Sequence, residues 1–326
     1  MTDVSLTILV PTRGGLWLSR CLHSVRQHAP PRTQVIVVCD GLPAETCRRW
    51  QVRYPEMHFL SKAPPGGFCR AVNFGLQYVQ TQVVQLLNDD TQVAPGFAEP
   101  ALRHFLDQRI GCVAPLVLQL QHPDTVDSMG IAYHICGWAR SRGHNHKLQE
   151  VSLVPGPILG ASGSSGFYRA EALRKVGGLQ EMLDAYYDDV ELALRLQRCG
   201  YLARFEPQSR IFHAGSLSYN RSSERVIRLI ARNEEVVFWM HLTGWQVLHG
   251  LVPHLGFVAI RLLCKWWQGQ AACFLRGKWE ALRLASWIRE QRQRFRQASW
   301  GPAAVESGWK VLQEGWAFLR DRKMAA

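Results

Sequence analysis

Short apolar runs alternate along the N-terminal third of the chain with segments whose apolar residues recur at helical spacing. The predicted strands are Leu6–Val10, Val35–Cys39, Met57–Leu60, Val83–Leu87 and Gly111–Leu118. The predicted helices are Leu16–Gln27, Glu45–Tyr54, Arg70–Val79 and Phe97–Leu106. Because parallel strands are joined by right-handed helical crossovers, this order predicts an α/β fold with a mostly parallel central sheet and flanking helices.

Polar residues follow directly after three of the predicted strands. Pro11-Thr12-Arg13 follows the first, Asp40-Gly41 the second and Asn88-Asp89-Asp90 the fourth. Ligands of such sheets bind beyond the carboxyl ends of the strands. We therefore expect these three segments to line one ligand site.

A second acidic cluster, Asp188-Asp189, opens a predicted helix that ends at Arg198, and His213 follows it. One such cluster can hold a divalent cation against phosphate, and another can take the proton of an attacking hydroxyl. Acidic residues are also favoured at helix starts by the helix dipole, and Asn88-Asp89-Asp90 has the composition of a polar turn. Taken together, the two clusters indicate glycosyl transfer from a nucleotide-sugar.

Positive charge and tryptophan are concentrated at the C-terminal end. Of the net charge of +12, residues 261–326 contribute +8, and nine of the 12 Trp lie between 239 and 326. Trp with Lys and Arg on amphipathic helices is typical of segments that lie in a membrane interface. The stretch 236–260 has no Asp, Glu, Lys or Arg, but its His, Gln and Pro residues predict that it is too polar to span a membrane.

This distribution predicts two parts of the chain. Residues 1–235 form the α/β domain, with a nucleotide-binding half at about 1–118 and an acceptor half at about 119–235. Residues 236–326 form a helical, basic, Trp-rich extension that associates with membranes. The nine cysteines are scattered singly and no signal peptide precedes the first strand, so a reducing, cytoplasmic location is expected.

Several motifs occur in the order known from one enzyme family. They are Val10-Pro11-Thr12, Val37-Val38-Cys39-Asp40-Gly41, Gly66-Gly67-Phe68 with Ala71-Val72-Asn73-Phe74-Gly75-Leu76, and Leu87-Asn88-Asp89-Asp90-Thr91. Over about residues 4–240 the chain resembles the inverting family 2 glycosyltransferases of GT-A fold. The block that begins Asp127-Ser128-Met129-Gly130 and includes Gly137-Trp138-Ala139-Arg140 is similar to their rhamnosyltransferase-like branch.

The resemblance implies roles for individual residues. Asp90 and His213 would be ligands of Mg²⁺ or Mn²⁺, Asp189 the general base, and Asp188 a residue that orients the acceptor. Residues expected at the nucleotide-sugar are Pro11, Thr12, Arg13, Asp40, Asn73, Asn88 and Asp89. Asp40 equally suits a turn or a helix cap. The sequence departs from the family pattern at Arg13, Cys39 and Asn88.

The sequence predicts no catalytic or metal-binding role for the other polar segments. The Gly160–Gly166 stretch lacks a nucleotide-binding fingerprint and is expected to form a small-residue floor beneath sugar or acceptor. His144 and His146 are interpreted as loop residues, and Glu191 as an exposed helix charge.

The expected reaction is transfer of a sugar, from dTDP-rhamnose or a UDP-sugar, to a hydroxyl of a growing cell-surface glycan, in a lipid-linked form. The enzyme is expected to be peripheral at the inner face of the cell membrane. There are three alternatives. The first is an enzyme that transfers sugar to polyprenyl phosphate, the second is a non-enzymatic basic protein that binds nucleic acid or membrane, and the third is an inactive relative of the family. Nucleic acid is not an expected partner, because the basic tail contains no recognised nucleic-acid module.

Overall fold

The structure is a computed structural model that describes residues 4–215, 223–298, 301, 305 and 306. The chain divides into two compact units. The first comprises Met1–Ile131 and Ser141–Arg221, and the second Ala132–Arg140 and Ser222–Ala326. The last part of the predicted extension, including Trp300, Trp309 and Trp316, lies outside the described residues.

One mixed sheet organises the first unit. Its strands are β1 Leu6–Thr12, β2 Gln34–Asp40, β3 His58–Lys62, β4 Val83–Leu87, β5 Thr91–Val93, β6 Ile110–Gln119, β7 Val126–Ser128, β10 Gly156–Ile158, β11 Ser165–Arg169 and β12 Leu202–His213. The strand order is β10-β12-β6-β11-β4-β1-β2-β3, with β5 paired to β12 and β7 to β6. Two further strands, β8 Ile131–Tyr133 and β9 Ala139–Ser141, form a small separate sheet.

Helices connect the strands of the first unit. They are α1 Leu18–His28, α2 Ala44–Arg53, α3 Phe68–Leu76, α4 Ala98–His104, α5 Ala170–Val176 and α6 Asp188–Arg198, with 3₁₀ turns at Leu148–Glu150 and Glu181–Leu183. Helix α3 approaches the sheet very closely, since a Cβ on Gly75 would lie 2.4 Å from Leu9 Cδ1 and 2.8 Å from Val38 Cγ2. Only glycine permits that contact, which fixes the position of α3 above β1 and β2.

The pairing of strands gathers the polar segments at one edge. Strands β3, β2, β1 and β4 are all parallel, so the ends of β1, β2 and β4 lie on the same side. Strand β11 is antiparallel to β4 with Ser165 opposite Leu87, which places the loop before β11 beside Asn88. Strand β12 pairs with β5 with His213 opposite Thr91. Two distant segments of the chain therefore reach the end of β4.

A continuous apolar core lies on one side of this sheet. It includes Ile8, Val37 and Phe167 from the strands, and Leu22 and Phe97 from the segments that cover them. All five side chains are buried. This packing holds the polar ends of the strands in fixed positions.

The second unit is helical over the residues that the structure describes. Its helices are α7 Glu224–His241, α8 Trp245–Trp267, α9 Ala271–Arg283 and α10 Ala285–Gln297. Helix α7 begins with a cap in which Ser223 Oγ accepts a hydrogen bond from the Val226 amide. Packing of α7 against α9 is centred on Ile227, Ala231 and Phe274, which are all buried.

Helix α8 departs from the expectation that this stretch is too polar to span a membrane. It has 23 residues, an 18-residue window of mean hydropathy 1.7, and only 11% of that window is buried. By length and composition it is therefore apolar enough to cross a bilayer. The helix begins at Trp245, after α7 has ended at His241, and continues beyond Ile260 to Trp267.

Candidate active site

Asp90, His213 and Asp127 form a connected group at the end of β4. His213 Nε2 lies 3.3 Å from Asp90 Oδ1, and His213 Nδ1 lies 2.9 Å from Asp127 Oδ2. His144 reaches the same aspartate, with its Nδ1 2.9 Å from the Asp127 carbonyl oxygen and 3.5 Å from Oδ1. Pairing of β12 with β5 brings His213 to this place.

The charges in this group stabilise one another. Burial alone would raise the pKa of Asp127, but the hydrogen bonds with His144 and His213 hold it well below its usual range. Burial disfavours the charged form of His213, yet its hydrogen bonds with Asp127 and Asp90 raise its pKa to about 9. Asp127 thus fixes the ring of His213 with Nε2 directed at Asp90.

Asp89 is held by the end of the first strand. Thr12 Oγ1 donates a hydrogen bond to Asp89 Oδ2 at 2.5 Å, and the Gly14 amide donates to Thr12 Oγ1 at 3.0 Å. Burial raises the pKa of Asp89 to about 6. The ends of β1 and β4 are thereby joined, as the parallel arrangement predicts.

Asp40 holds a turn at the end of β2. Its Oδ1 accepts from the Gly66 amide at 2.8 Å and from Lys62 Nζ at 3.1 Å, and its Oδ2 accepts from the Gly67 amide at 2.9 Å. Its side chain is buried. The contact with two successive amides shapes the segment that leads into α3.

Asn73 lies on α3 and binds a segment far along the chain. Its Nδ2 donates to the Leu179 carbonyl at 2.9 Å, and its Oδ1 accepts from the Leu179 amide at 2.8 Å. Nδ2 is also 3.1 Å from Glu181 Oε1. In the structure this amide ties α3 to the segment before α6, and its contact with a nucleotide-sugar stays a prediction.

Three further residues predicted to contact the nucleotide-sugar are Pro11, Arg13 and Asn88. Pro11 is buried within β1, whereas Arg13 is exposed just beyond it. The Asn88 amide donates to the Ser164 carbonyl at 2.9 Å. Asn88 therefore connects the end of β4 to the loop that precedes β11.

Asp189 is oriented by two backbone amides at the start of α6. The Gly163 amide donates to Asp189 Oδ2 at 2.9 Å, and the Val190 amide to Oδ1 at 2.8 Å. Burial raises the pKa of Asp189 in spite of these bonds, and burial together with the charge of Asp189 raises that of its neighbour Asp188. The two carboxyls are thus a strongly interacting pair.

A two-residue bridge, Gly163-Ser164, connects the two acidic clusters. Ser164 binds the Asn88 amide through its carbonyl, and Gly163 binds the Asp189 carboxylate through its amide. The Asn88-Asp89-Asp90 cluster and the Asp188-Asp189 cluster therefore both contact one loop. This is the loop expected from sequence to be a small-residue floor.

The segment before Asp188 has an unusual backbone. Asp184, Tyr186 and Tyr187 have φ values of 64°, 66° and 63°, in the left-handed region that non-glycine residues seldom adopt. The Asp184 carbonyl accepts from the Cys69 amide at 3.1 Å at the start of α3. Strained backbone of this kind clusters at functional sites, where the surrounding structure maintains it.

Glu191 corrects an expectation. It is fully buried rather than exposed, and it forms a bidentate ion pair with Arg195, with Arg195 Nε 2.7 Å from Oε1 and Nη2 2.6 Å from Oε2. Arg195 Nη1 also donates to the Val176 carbonyl at 2.5 Å. The pair anchors α6 to the end of α5, because the face of α6 that carries Glu191 points into the protein.

Asp127 and His144 belong to this group of side chains, although the sequence predicts no chemical role for either. Asp127 was noted only as part of a motif, and His144 was interpreted as loop. Both contact the group around His213. The register of β7 on β6 and the loop that returns His144 to Asp127 supply this proximity, and sequence spacing does not reveal either.

The donor set suits a divalent metal in part. Among the described residues no group of three or more His, Cys, Asp or Glu side chains is arranged to hold a metal alone. Asp90 and His213 supply one oxygen and one nitrogen that converge, and Asp127 supports the far nitrogen of His213 as carboxylates do at metal-binding histidines. Two protein ligands suit Mg²⁺ or Mn²⁺ when substrate phosphates provide others.

The strand ends described above lie in a region that matches a known protein family. The model of the family "Glycosyl transferase family 2" matches residues 7–177. The chain belongs to glycosyl transferase family 2. This match includes the ends of β1, β2 and β4 and the Gly163-Ser164 bridge, and it confirms the family that the motifs indicated.

Relatives of this family 2 chain include two enzymes of Mycobacterium tuberculosis. Pre-mycofactocin glycosyltransferase is 28% identical over 64% of this chain and 42% of its own length. N-acetylglucosaminyl-diphospho-decaprenol L-rhamnosyltransferase is 27% identical over 75% of this chain and 87% of its own length. The chain thus spans less than half of the first relative and most of the second.

Solved structures show the fold. GalNAc-T7 in complex with UDP, GalNAc and Mn²⁺ has a TM-score of 0.56 at 15% identity, covering 73% of this chain and 50% of the other. The Pyrobaculum calidifontis mannosyltransferase PcManGT, in complex with GDP-Man and Mn²⁺, has 0.54 at 17% identity, covering 90% and 84%. The family 2 chain therefore has the expected GT-A fold, with a helical region after it.

Proposed function

We propose that this protein is an inverting glycosyltransferase that moves a sugar from a nucleoside diphosphate to an acceptor hydroxyl. The carrying observation is the Gly163-Ser164 bridge, through which the Asn88-Asp89-Asp90 cluster and Asp189 both contact the same short loop. Such a transfer needs a donor diphosphate on one side of the anomeric carbon and a base on the other.

In the proposed reaction Asp189 accepts the proton of the acceptor hydroxyl. The acceptor oxygen bonds to the anomeric carbon as the bond from that carbon to the phosphate oxygen breaks, and the nucleoside diphosphate leaves. Two backbone amides hold the Asp189 carboxylate in place, and burial raises its pKa, which strengthens it as a base. Asp188 orients the acceptor beside it.

Asp90 and His213 are the proposed metal ligands, with Asp127 orienting His213. When bound, Mg²⁺ or Mn²⁺ neutralises charge on the leaving diphosphate. The proposed contacts to the nucleotide-sugar come from the ends of β1, β2 and β4 and from α3. The residues are Pro11, Thr12, Arg13, Asp40, Asn88, Asp89 and, on α3, Asn73.

The proposed donor is dTDP-rhamnose or a UDP-sugar, and the proposed acceptor is a lipid-linked glycan. Support comes from the rhamnosyltransferase relative, whose name specifies a sugar attached through diphosphate to decaprenol. A base at Asp189 favours a hydroxyl acceptor over polyprenyl phosphate, since an anionic acceptor needs no deprotonation.

Membrane association is proposed for the second unit, at the cytoplasmic face of the cell membrane. Helix α8 exposes a row of large apolar side chains, among them Trp245, Val252, Trp266 and Trp267. Such side chains are stable in a bilayer or its interface and costly in water.

The decisive experiment measures transfer or hydrolysis of a panel of nucleotide-sugars by the membrane-reconstituted protein, with Mn²⁺ and with chelator. Metal-dependent release of nucleoside diphosphate from one donor is the expected result. Thermal shift with the same panel identifies the donor separately, because a ligand at 100 times its Kd stabilises by about 2.7 kcal/mol. Absence of both binding and turnover for all donors would refute the proposal.

A further inference from the structure

A cavity of about 650 Å³ lies within the second unit and is lined by residues of α7, α8, α9 and α10. Its aliphatic lining residues are Val258, Ala281, Leu282, Ala285 and Ile288. Three of the four arginines of α10 also line it, Arg289, Arg292 and Arg296. The volume is in the range of sites that hold a small molecule or part of a larger ligand.

Helix periodicity explains why three cations line one cavity. Arg289, Arg292 and Arg296 are spaced by three and four residues, so they lie on one face of α10. The face that packs into the unit carries Ile288 and Phe295, which are buried. Arg294 points elsewhere and pairs with Glu290 at 2.7 Å.

The acidic residue in the wall does not neutralise these arginines. Glu235 is already bound by Lys278 Nζ at 2.8 Å, by His254 Nε2 at 3.1 Å and by Trp239 Nε1 at 2.9 Å. Burial opposes its ionisation, but the hydrogen bond with His254 and the charge of Lys278 lower its pKa to about 2. Its charge is therefore compensated by other groups.

The middle arginine is partly buried. Arg292 Nη1 donates to the Trp239 carbonyl at 2.9 Å, and burial followed by the charge of Arg296 lowers its pKa. Arg292 is partly withdrawn from water and repelled by Arg296, so a bound anion would stabilise its charge. Phosphate is favoured, because a guanidinium offers paired donors that match two phosphate oxygens.

We propose that this cavity binds the phosphate-bearing head of a membrane lipid, with α10 arginines on the phosphate oxygens and the lipid chain along the aliphatic wall. The described lining is mainly aliphatic with Trp239 as its single aromatic residue, which suits a hydrocarbon chain better than a series of stacked bases. The exposed apolar row on the neighbouring α8 presents the unit to the same lipid phase. This inference rests on the proposed membrane association and is independent of glycosyl transfer.

Vesicle flotation of the full-length protein tests the proposal, without donor and without turnover. Phosphatidylcholine vesicles are used alone, with phosphatidylglycerol, and with polyprenyl diphosphate, which distinguishes a bulk phospholipid from a lipid diphosphate. The pocket variant is R289Q/R292Q/R296Q. The matched control, R276Q/R283Q/R294Q, removes the same charge from arginines of α9 and α10 that do not line the cavity.

The pocket variant is expected to lose roughly 100-fold in affinity for phosphatidylglycerol, polyprenyl diphosphate or both, because the paired hydrogen bonds from guanidinium to phosphate are lost. The control is expected to stay within about fivefold at physiological salt, because exposed charges are screened. A third variant, A285W, fills the cavity without altering charge and should also bind weakly, with circular dichroism confirming that each variant folds.

Three results would overturn the proposal. Equal losses in the two triple variants would indicate diffuse attraction to the surface. Full binding by folded A285W would show that the cavity is not occupied. Tight binding of inorganic pyrophosphate, or of RNA, to these arginines in the absence of vesicles would assign the site to a soluble anion or to nucleic acid.

Discussion

Asp127 Oδ2 lies 2.9 Å from His213 Nδ1, which leaves Nε2 of the same ring directed at Asp90. A histidine that binds a metal through one nitrogen is normally held through the other, and the supporting carboxylate sets both ring orientation and basicity. The contact makes Asp127 a positioning residue for the proposed metal site, although it is not itself a ligand.

Asp127→Asn is therefore expected to weaken Mn²⁺ affinity by about 10- to 100-fold. Calorimetric titration of Mn²⁺ in the presence of the nucleoside diphosphate measures the change. Asp124→Asn is the control, because that aspartate is largely exposed and pairs with Lys147 away from His213. Equal effects of the two substitutions would remove Asp127 from the metal site.

Asp189→Asn is expected to reduce turnover by at least about 100-fold, as loss of a general base does, with donor affinity unchanged. Little net change in melting temperature is expected, because the substitution removes a buried charge beside Asp188 but turns amide N–H groups toward the Gly163 or the Val190 amide. A discontinuous assay measures turnover, a donor titration measures affinity, and thermal unfolding measures the melting temperature. Unchanged turnover would show that Asp189 is not the base.

Turnover should fall as the pH is lowered through the raised pKa of Asp189. The base acts in its deprotonated form, and burial shifts its protonation to a higher pH than that of an exposed aspartate. The acidic limb of the rate profile should consequently lie above the ordinary range for Asp. A limb at the pH of a free carboxyl, measured at saturating donor and metal, contradicts the assignment.

Breaking the buried Glu191–Arg195 pair is expected to be costly. Glu191→Gln leaves a buried guanidinium without its counter-charge, for which about 3–5 kcal/mol of unfolding free energy is typical. Urea denaturation measures the loss. Glu45→Gln serves as the control, because Glu45 and Arg49 have the same i,i+4 spacing but are exposed, and such pairs contribute about 0.5 kcal/mol or less.

Asp40→Asn separates support of a turn from recognition of a ligand. The substituted amide would present N–H groups to at least one of the Gly66 and Gly67 amides, leaving donors unpaired. We expect a loss of about 1–3 kcal/mol in unfolding free energy in the absence of any nucleotide. Weaker donor binding with unchanged stability would instead assign Asp40 to the ligand alone.

The sequence predicted the sheet of the first unit well, because its strands are apolar and its turns carry distinctive residues. Val83–Leu87 has the predicted bounds, and β1 and β2 differ only at their ends. The antiparallel insertion of β11 between β4 and β6 was not predicted, since pairing partners are set by contacts between distant residues.

The sequence named the residues of the proposed site but did not reveal how they are connected. Family motifs indicated Asp90, Asp189 and His213, whereas the roles of Asp127 and Gly163 depend on strand register and on a loop conformation. For Glu191, the sequence predicted the wrong environment, exposed instead of buried. A charged residue one turn into a helix is usually exposed, and only its partner Arg195, itself buried, makes the inward position stable.

The Gly163-Ser164 bridge has a consequence for how this enzyme can change. Since the same short loop contacts both the Asn88-Asp89-Asp90 cluster and the proposed base Asp189, an insertion or a bulky replacement there would disturb both at once. Variants selected for a new sugar are therefore expected to vary around this loop and to leave its backbone path intact.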